Sequence, residues 1–166
     1  MTMMFAGLTS GYLVRRGEGN WLLFQLPEVF FVSTVVILFS SITMFLSLKN
    51  TKKEKNKKAI YYLLLTFFFG VFFVALQVQG WGQLLEQKVF FTGEKSNAAG
   101  SFIYVLTFLH LIHLFAALIS VIVSIFAMSK QKYTKSKMLG LELTSTFWHF
   151  ITALWLYLFL FLLFIR

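Results

Sequence analysis

Four stretches of the chain, at roughly 24–48, 59–80, 101–128 and 139–165, are apolar almost without interruption, and each is at least 22 residues long. As a helix, at about 1.5 Å per residue, each spans the roughly 30 Å hydrocarbon core of a bilayer. The apolar residues come in blocks rather than at the three-and-four spacing of a helix with one wet face, which is the pattern of segments whose solvent is lipid. The first fourteen residues (MTMMFAGLTSGYLV) are also apolar, but as a helix they reach only about 21 Å. They have no basic n-region followed by a small-residue cleavage site, so they do not read as a signal peptide. They look like the second half of a helix that begins outside this chain. The pattern predicts an all-α, polytopic transmembrane helix bundle: four full spans plus an N-terminal partial or fifth span. It forms a single membrane domain over 1–166, with helices at about 1–14, 24–48, 59–80, 101–128 and 139–165.

Composition agrees: 58% of the residues are apolar and 13% charged, too little polar surface to cover a soluble globule. There is no cysteine, which removes disulfides, thiolate nucleophiles and thiolate metal sites together. The net charge of +9 is concentrated in two places. Residues 49–58 hold six lysines and one glutamate, 129–138 hold four lysines and no acid, and elsewhere five basic and five acidic residues cancel. Short lysine-rich loops between apolar blocks mark the cytoplasmic side of a membrane protein, and they exclude nucleic acid as the partner of this charge. With both loops inside, 15–20, 81–99 and the carboxyl-terminal Arg166 face outwards. Trp21, Trp81, Tyr61 and Tyr62 fall near predicted helix ends, where aromatic belts form. Pro27 and Glu28 suit a first helical turn, the proline lacking an N–H and the acid facing the positive end of the dipole.

Small residues allow helices to approach closely in lipid. Ser33, Ser40 and Ser47, flanked by Thr34 and Ser41, predict one packing seam, and Ala116, Ala117, Ser120 and Ser124 another. Ionisable groups inside a membrane normally face a bundle interior with a partner. His110 and His113 share one helix face, and Glu142, Ser145, His149 and Thr152 share another. From opposite ends of the membrane, His113 lies about 12 Å and His149 about 13 Å from the inner boundary, so the two faces are expected to meet. Two histidines at equal depth could clamp a haem, making the chain a small haem-binding membrane cytochrome or quinol-oxidising anchor, or they could bind copper or zinc. A haem needs a hollow, however, and the last helix carries Phe147, Trp148, Phe150, Trp155 and Tyr157. Histidines hydrogen-bonded within the bundle are the simpler reading. A transporter would show helices broken at mid-membrane, and the only proline is Pro27.

Four segments, in order and covering nearly the whole chain, resemble subunit III of cytochrome c oxidase. LPEVFFVSTVVILFSSITMFLSLK is similar to its fourth helix, and LTFFFGVFFVALQVQGW, with Leu76 and Gln77, to the next. GSFIYVLTFLHLIHLFAALI carries the family's His-x-x-His as His110 and His113. GLELTSTFWHFITALWLYLFLFL carries Glu142 ahead of Trp148, His149 and Phe150. The amino terminus resembles the back half of the third helix, without the acid many members carry there. Thr152 and Gly80 likewise stand where many have an acid.

The resemblance implies a reduced, five-helix member of the haem-copper oxidase subunit III family. It would be an accessory, cofactor-free subunit of an oxygen-reducing, proton-translocating respiratory oxidase, without any role that rests on the missing acids. It implies packing on catalytic subunit I and other oxidase subunits, phospholipids held between helices, support of proton uptake, and a place in a respiratory supercomplex. Haem and copper would reside in partner subunits, and the location would be the bacterial inner membrane. No catalytic, cofactor or metal residue is expected. His110, His113, Glu142, Ser145, Trp148, His149 and Thr152 are the expected polar seam or lipid and subunit contacts.

The charge distribution makes a direct prediction in a chain without cysteine. Lys55→Cys and Lys132→Cys should resist an impermeant thiol reagent applied to intact cells and react once the membrane is opened. Labelling of either from outside would overturn the orientation.

Overall fold

In hydrocarbon a backbone amide can be satisfied only by another backbone group, so long apolar runs fold as helices. The computed structural model describes residues 2–17, 28–86, 98–130 and 138–165. Among these residues it has five helices, α1 (Thr2–Arg16), α2 (Glu28–Lys52), α3 (Asn56–Glu86), α4 (Ala98–Ser129) and α5 (Leu139–Ile165), and no strand. Four helices are long and apolar enough to cross a membrane, and the chain is an integral membrane protein of the all-α, polytopic class. The expectations for Trp21, Pro27, most of the 129–138 loop and Arg166 lie outside the described residues.

The helices run past the apolar blocks at their ends. α2 continues through Lys49 and Lys52, and α3 begins at Asn56, before Lys57 and Lys58. Lysine is a good helix former, and its long stem lets the ammonium reach water from a helix end. Only 53–55 is left to connect α2 and α3. The amide of Lys55 donates to the carbonyl of Asn50 (3.0 Å) and that of Glu54 to Thr51 (2.9 Å). With Glu54 at φ 58°, this is a Schellman motif, the cap that satisfies the last carbonyls of a helix through one left-handed residue.

The two helices then pack along a seven-residue repeat. Phe30, Ser33, Ile37, Ser40, Met44, Ser47 and Thr51 are the buried stripe of α2 on this side. Ala59, Leu63, Thr66, Gly70, Phe73, Gln77, Gly80 and Leu84 are that of α3. Spacings alternating between three and four keep such a seam facing its partner, as in a coiled coil. The Ser47 hydroxyl donates to the Ala59 carbonyl across the seam at 2.9 Å. Gly80 takes the ring of Phe30: a Cβ there would lie 2.8 Å from the ring edge.

α5 lies against both α2 and α4, and α4 against α3, while α1 packs on α4 and reaches α5 through Thr9, whose Oγ1 is 3.0 Å from the hydroxyl of Tyr157. Trp148 and Trp155, each 1% exposed, are the largest side chains in the interior. Of the predicted α4 seam, Ala117 and Ser124 are buried, Ser120 is half-buried and Ala116 is exposed. Outward faces carry large apolar residues, among them Phe39, Ile42 and Phe45 on α2 and Phe115, Ile119 and Phe126 on α4. Such faces are compatible with lipid or with apolar partner helices and incompatible with water.

Glu54 occupies a backbone region that favours glycine by about 1–2 kcal/mol over a residue with a Cβ. Glu54→Gly should therefore stabilise the hairpin by about 1 kcal/mol, and Glu54→Val should destabilise it, as read by denaturant unfolding in detergent. A less stable Glu54→Gly chain would contradict this account of the turn.

Candidate functional site

The polar chemistry of the interior is organised on α2. Its hydroxyl groups face two neighbours. Towards α3, the amide nitrogen of Gln77 donates to Ser33 Oγ at 3.0 Å, and Thr43 and Thr66 share a hydrogen bond of 2.8 Å. Towards α5, the indole N–H of Trp148 donates to Ser40 Oγ at 3.0 Å, and that of Trp155 donates to Thr34 Oγ1 at 3.1 Å. His149 Nδ1 bonds to Ser41 Oγ. The two tryptophans are seven residues apart and so present their indoles on one stripe of α5. Their acceptors on α2 are six apart on the antiparallel partner.

Trp148 reaches Ser40 across the face of Gly70. A Cβ on Gly70 would lie 2.7 Å from the Trp148 ring and 2.8 Å from Leu118, so the glycine makes the space through which α5 contacts the α2–α3 pair. The Ser40 hydroxyl in turn approaches the Thr66 carbonyl at 3.4 Å. One indole, one hydroxyl and one missing side chain thus lock three helices together.

The remaining expected residues are distributed around this ladder. Thr152 is buried and its hydroxyl returns to the Trp148 carbonyl at 3.0 Å; Ser145 is buried. Glu142, near the start of α5, pairs with Lys52 at the end of α2 (3.4 Å), with both side chains about half exposed. An exposed pair of this kind contributes about 0–1 kcal/mol. His113 Nδ1 is 2.7 Å from the Leu109 carbonyl of its own helix, and its ring lies 5.9 Å from that of Phe5. His110 is fully buried against Trp155, with ring centroids 5.3 Å apart, and against Phe73 at 6.1 Å.

This arrangement corrects one expectation. α4 and α5 do run antiparallel and in contact, as the 3.1 Å bond between Ser124 and Thr144 near one end and the His110–Trp155 contact further along show. But His149 turns to Ser41 on α2, and His113 turns towards α1. The contacts set the register about one helical turn away from the one that depth alone gave, and depth cannot tell which neighbouring helix a face meets. The α2 hydroxyls are legible in the sequence as a seam but not as hydrogen-bonding partners, and Gln77 only as part of the family's leucine-glutamine pair. The signal was a pair of indoles seven residues apart on one helix and a run of hydroxyls at similar spacing on another.

Among the described residues, no three His, Cys, Asp or Glu side chains come together where they could hold a metal. The three histidines have three different sets of neighbours.

Residues 23–165 match the family described as cytochrome c oxidase subunit III. The chain is 29% identical over 173 residues to the probable cytochrome c oxidase subunit 3 of Mycobacterium tuberculosis, an alignment covering 99% of this chain and 82% of the relative. It is 25% identical to the cytochrome c oxidase subunit 3 of Corynebacterium diphtheriae, with the same coverage. It is 27% identical to the cytochrome bo(3) ubiquinol oxidase subunit 3 of Pseudomonas putida, over 95% of this chain and 76% of the relative.

Ser40→Ala should leave the Trp148 N–H buried without an acceptor, at a cost of about 1–3 kcal/mol. Thr146→Ala, at an exposed hydroxyl of the same helix, should change stability by less than about 0.5 kcal/mol. Equal effects in thermal unfolding would show that the indole bond does not hold α5 in place.

Proposed function

Because the chain belongs to the cytochrome c oxidase subunit III family, we propose that it serves as the accessory, cofactor-free third subunit of a haem-copper terminal oxidase in a bacterial inner membrane. The observation that carries this reading is the extent of the family match, 23–165, over a helix bundle in which the indoles of α5 and hydroxyls of α2 hold helices together. A subunit of that kind works by shape and packing. As one membrane domain it would dock on the catalytic subunit, and haem and copper would belong to that partner. The reading stands at the level that relatives named for cytochrome c and for ubiquinol oxidases share.

Within it, we assign the chain three finer roles. It holds phospholipid, a role supported by the apolar groove of about 340 Å³ between α1 and α5, lined by Phe5, Ala6, Phe150, Leu154 and Tyr157. It sustains proton uptake by its partner, which rests on family membership. Its lysine-rich ends face the cytoplasm, supported by the positive-inside rule. The residues His110, His113, Glu142, Ser145, Trp148, His149 and Thr152 serve as packing and subunit or lipid contacts, with no redox part.

Affinity purification of the tagged chain in mild detergent tests the assignment. The eluate should contain the catalytic oxidase subunit and its haem spectrum. His149→Ala should lower the yield of assembled complex while leaving haem absorbance per complex unchanged, because removing the imidazole unpairs Ser41 without touching a cofactor. A haem band that follows the isolated chain, or that falls in proportion to the His149→Ala substitution, would overturn the cofactor-free reading in favour of a membrane cytochrome.

A further inference from the structure

Buried polar atoms in folded proteins almost always have a partner, and one layer of this bundle holds several without one. Both ring nitrogens of His110 and Oε1 of Gln77 are buried and meet no hydrogen-bonding group among the described residues. Neither side chain is exposed at all. They lie at about the same level of two adjacent helices, α3 and α4. Gln77 lies on α3 one turn from Phe73 and one turn from Trp81. Phe73 stands 6.1 Å from the His110 ring, and Trp81 donates to Thr107, one turn before His110 on α4, at 3.0 Å. Gln77 is therefore bracketed by the two contacts that fix α3 against this stretch of α4.

The chemistry of the unmet atoms is specific. A neutral imidazole has one N–H and one lone-pair nitrogen. The N–H has an outlet in the aromatic faces around it: the Phe73 ring is near perpendicular to the imidazole at 73°, and Trp155 lies tilted against it, geometries in which an N–H can point into a π system. The lone-pair nitrogen has no such outlet, and neither has the Gln77 carbonyl oxygen, whose amide nitrogen is already committed to Ser33. Two acceptors at one level of neighbouring helices cannot satisfy each other. They need a species carrying two donors.

We propose that one internal water molecule occupies this layer and bridges α3 to α4, donating one O–H to the lone-pair nitrogen of His110 and the other to Oε1 of Gln77. Two to four polar partners are what buried waters have. The water makes His110 a helix-bridging residue, although its ring nitrogens have no hydrogen-bond partner of their own among the described residues. The proposal is independent of which oxidase the chain serves, since it concerns only this chain's interior.

The test uses the full chain in its native membrane complex, imaged at a resolution that shows ordered water. A single density peak within hydrogen-bonding reach of both His110 and Gln77 is expected. A direct imidazole–amide bond, or a space between them without density, overturns the proposal. His110→Leu, Gln77→Leu and the double variant give a second readout in thermal unfolding. Since each substitution removes the shared water along with that side chain's own contacts, the double variant should shift the midpoint by clearly less than the sum of the two single shifts. Shifts that add would show that the two side chains act separately and would overturn the bridge. Should a variant fail to assemble, the density in the unaltered complex decides.

Discussion

A tryptophan placed inside a membrane protein brings an N–H that lipid cannot satisfy, and the position of α5 depends on where those N–H groups can go. Both buried indoles of α5 find hydroxyls of α2, Trp148 at Ser40 and Trp155 at Thr34. Burial of apolar surface does little to choose between neighbours in lipid, because lipid tails are as apolar as the side chains they replace. Choice then falls to shape and to polar pairing. Gly70 supplies the shape, since any side chain there would collide with Trp148, and the α2 hydroxyls supply the pairing. The α2–α3 seam, the seat of α5, and through α5 the contacts with α4 and α1 follow from this arrangement.

The helices themselves were plain from the chain, because an unbroken apolar run of twenty or more residues has one solution in hydrocarbon. Their ends were less so: the lysines that look like loop by charge are good helix formers, and α2 and α3 absorb four of the six in 49–58. Ser33, Ser40 and Ser47 read correctly as a close-packing stripe. What escaped was that hydroxyls on and beside this stripe also accept from α3 and α5. His149 was assigned by depth to His113, yet depth gives one coordinate of a residue in a bundle, and the neighbour it meets is set by the rotation of its helix. Ser41 lies on the helix that α5 faces at that level, and His113 does not.

The family places the chain in a redox complex, while its own interior is built for adhesion. Each histidine has a different local setting: one beside a serine of another helix, one on a carbonyl of its own helix, one enclosed by aromatic rings. Ligation of a haem or metal from two helices needs side chains that converge on a single point. The sequence spacing His-x-x-His is compatible with ligation and with packing alike, and the contacts of these three side chains are packing contacts.

The turn at 53–55 carries a consequence for biogenesis. Three residues reach about 10 Å at full extension, a third of the roughly 30 Å that separates the two faces of the hydrocarbon core. The end of α2 and the start of α3 must therefore stay on the same side throughout insertion. Neither helix can be turned over without the other, and a mistake in the threading of the first cannot be repaired by the second. Orientation is settled once for the pair, and the cluster of ammonium groups at the hairpin tip is where a translocation machinery would read it.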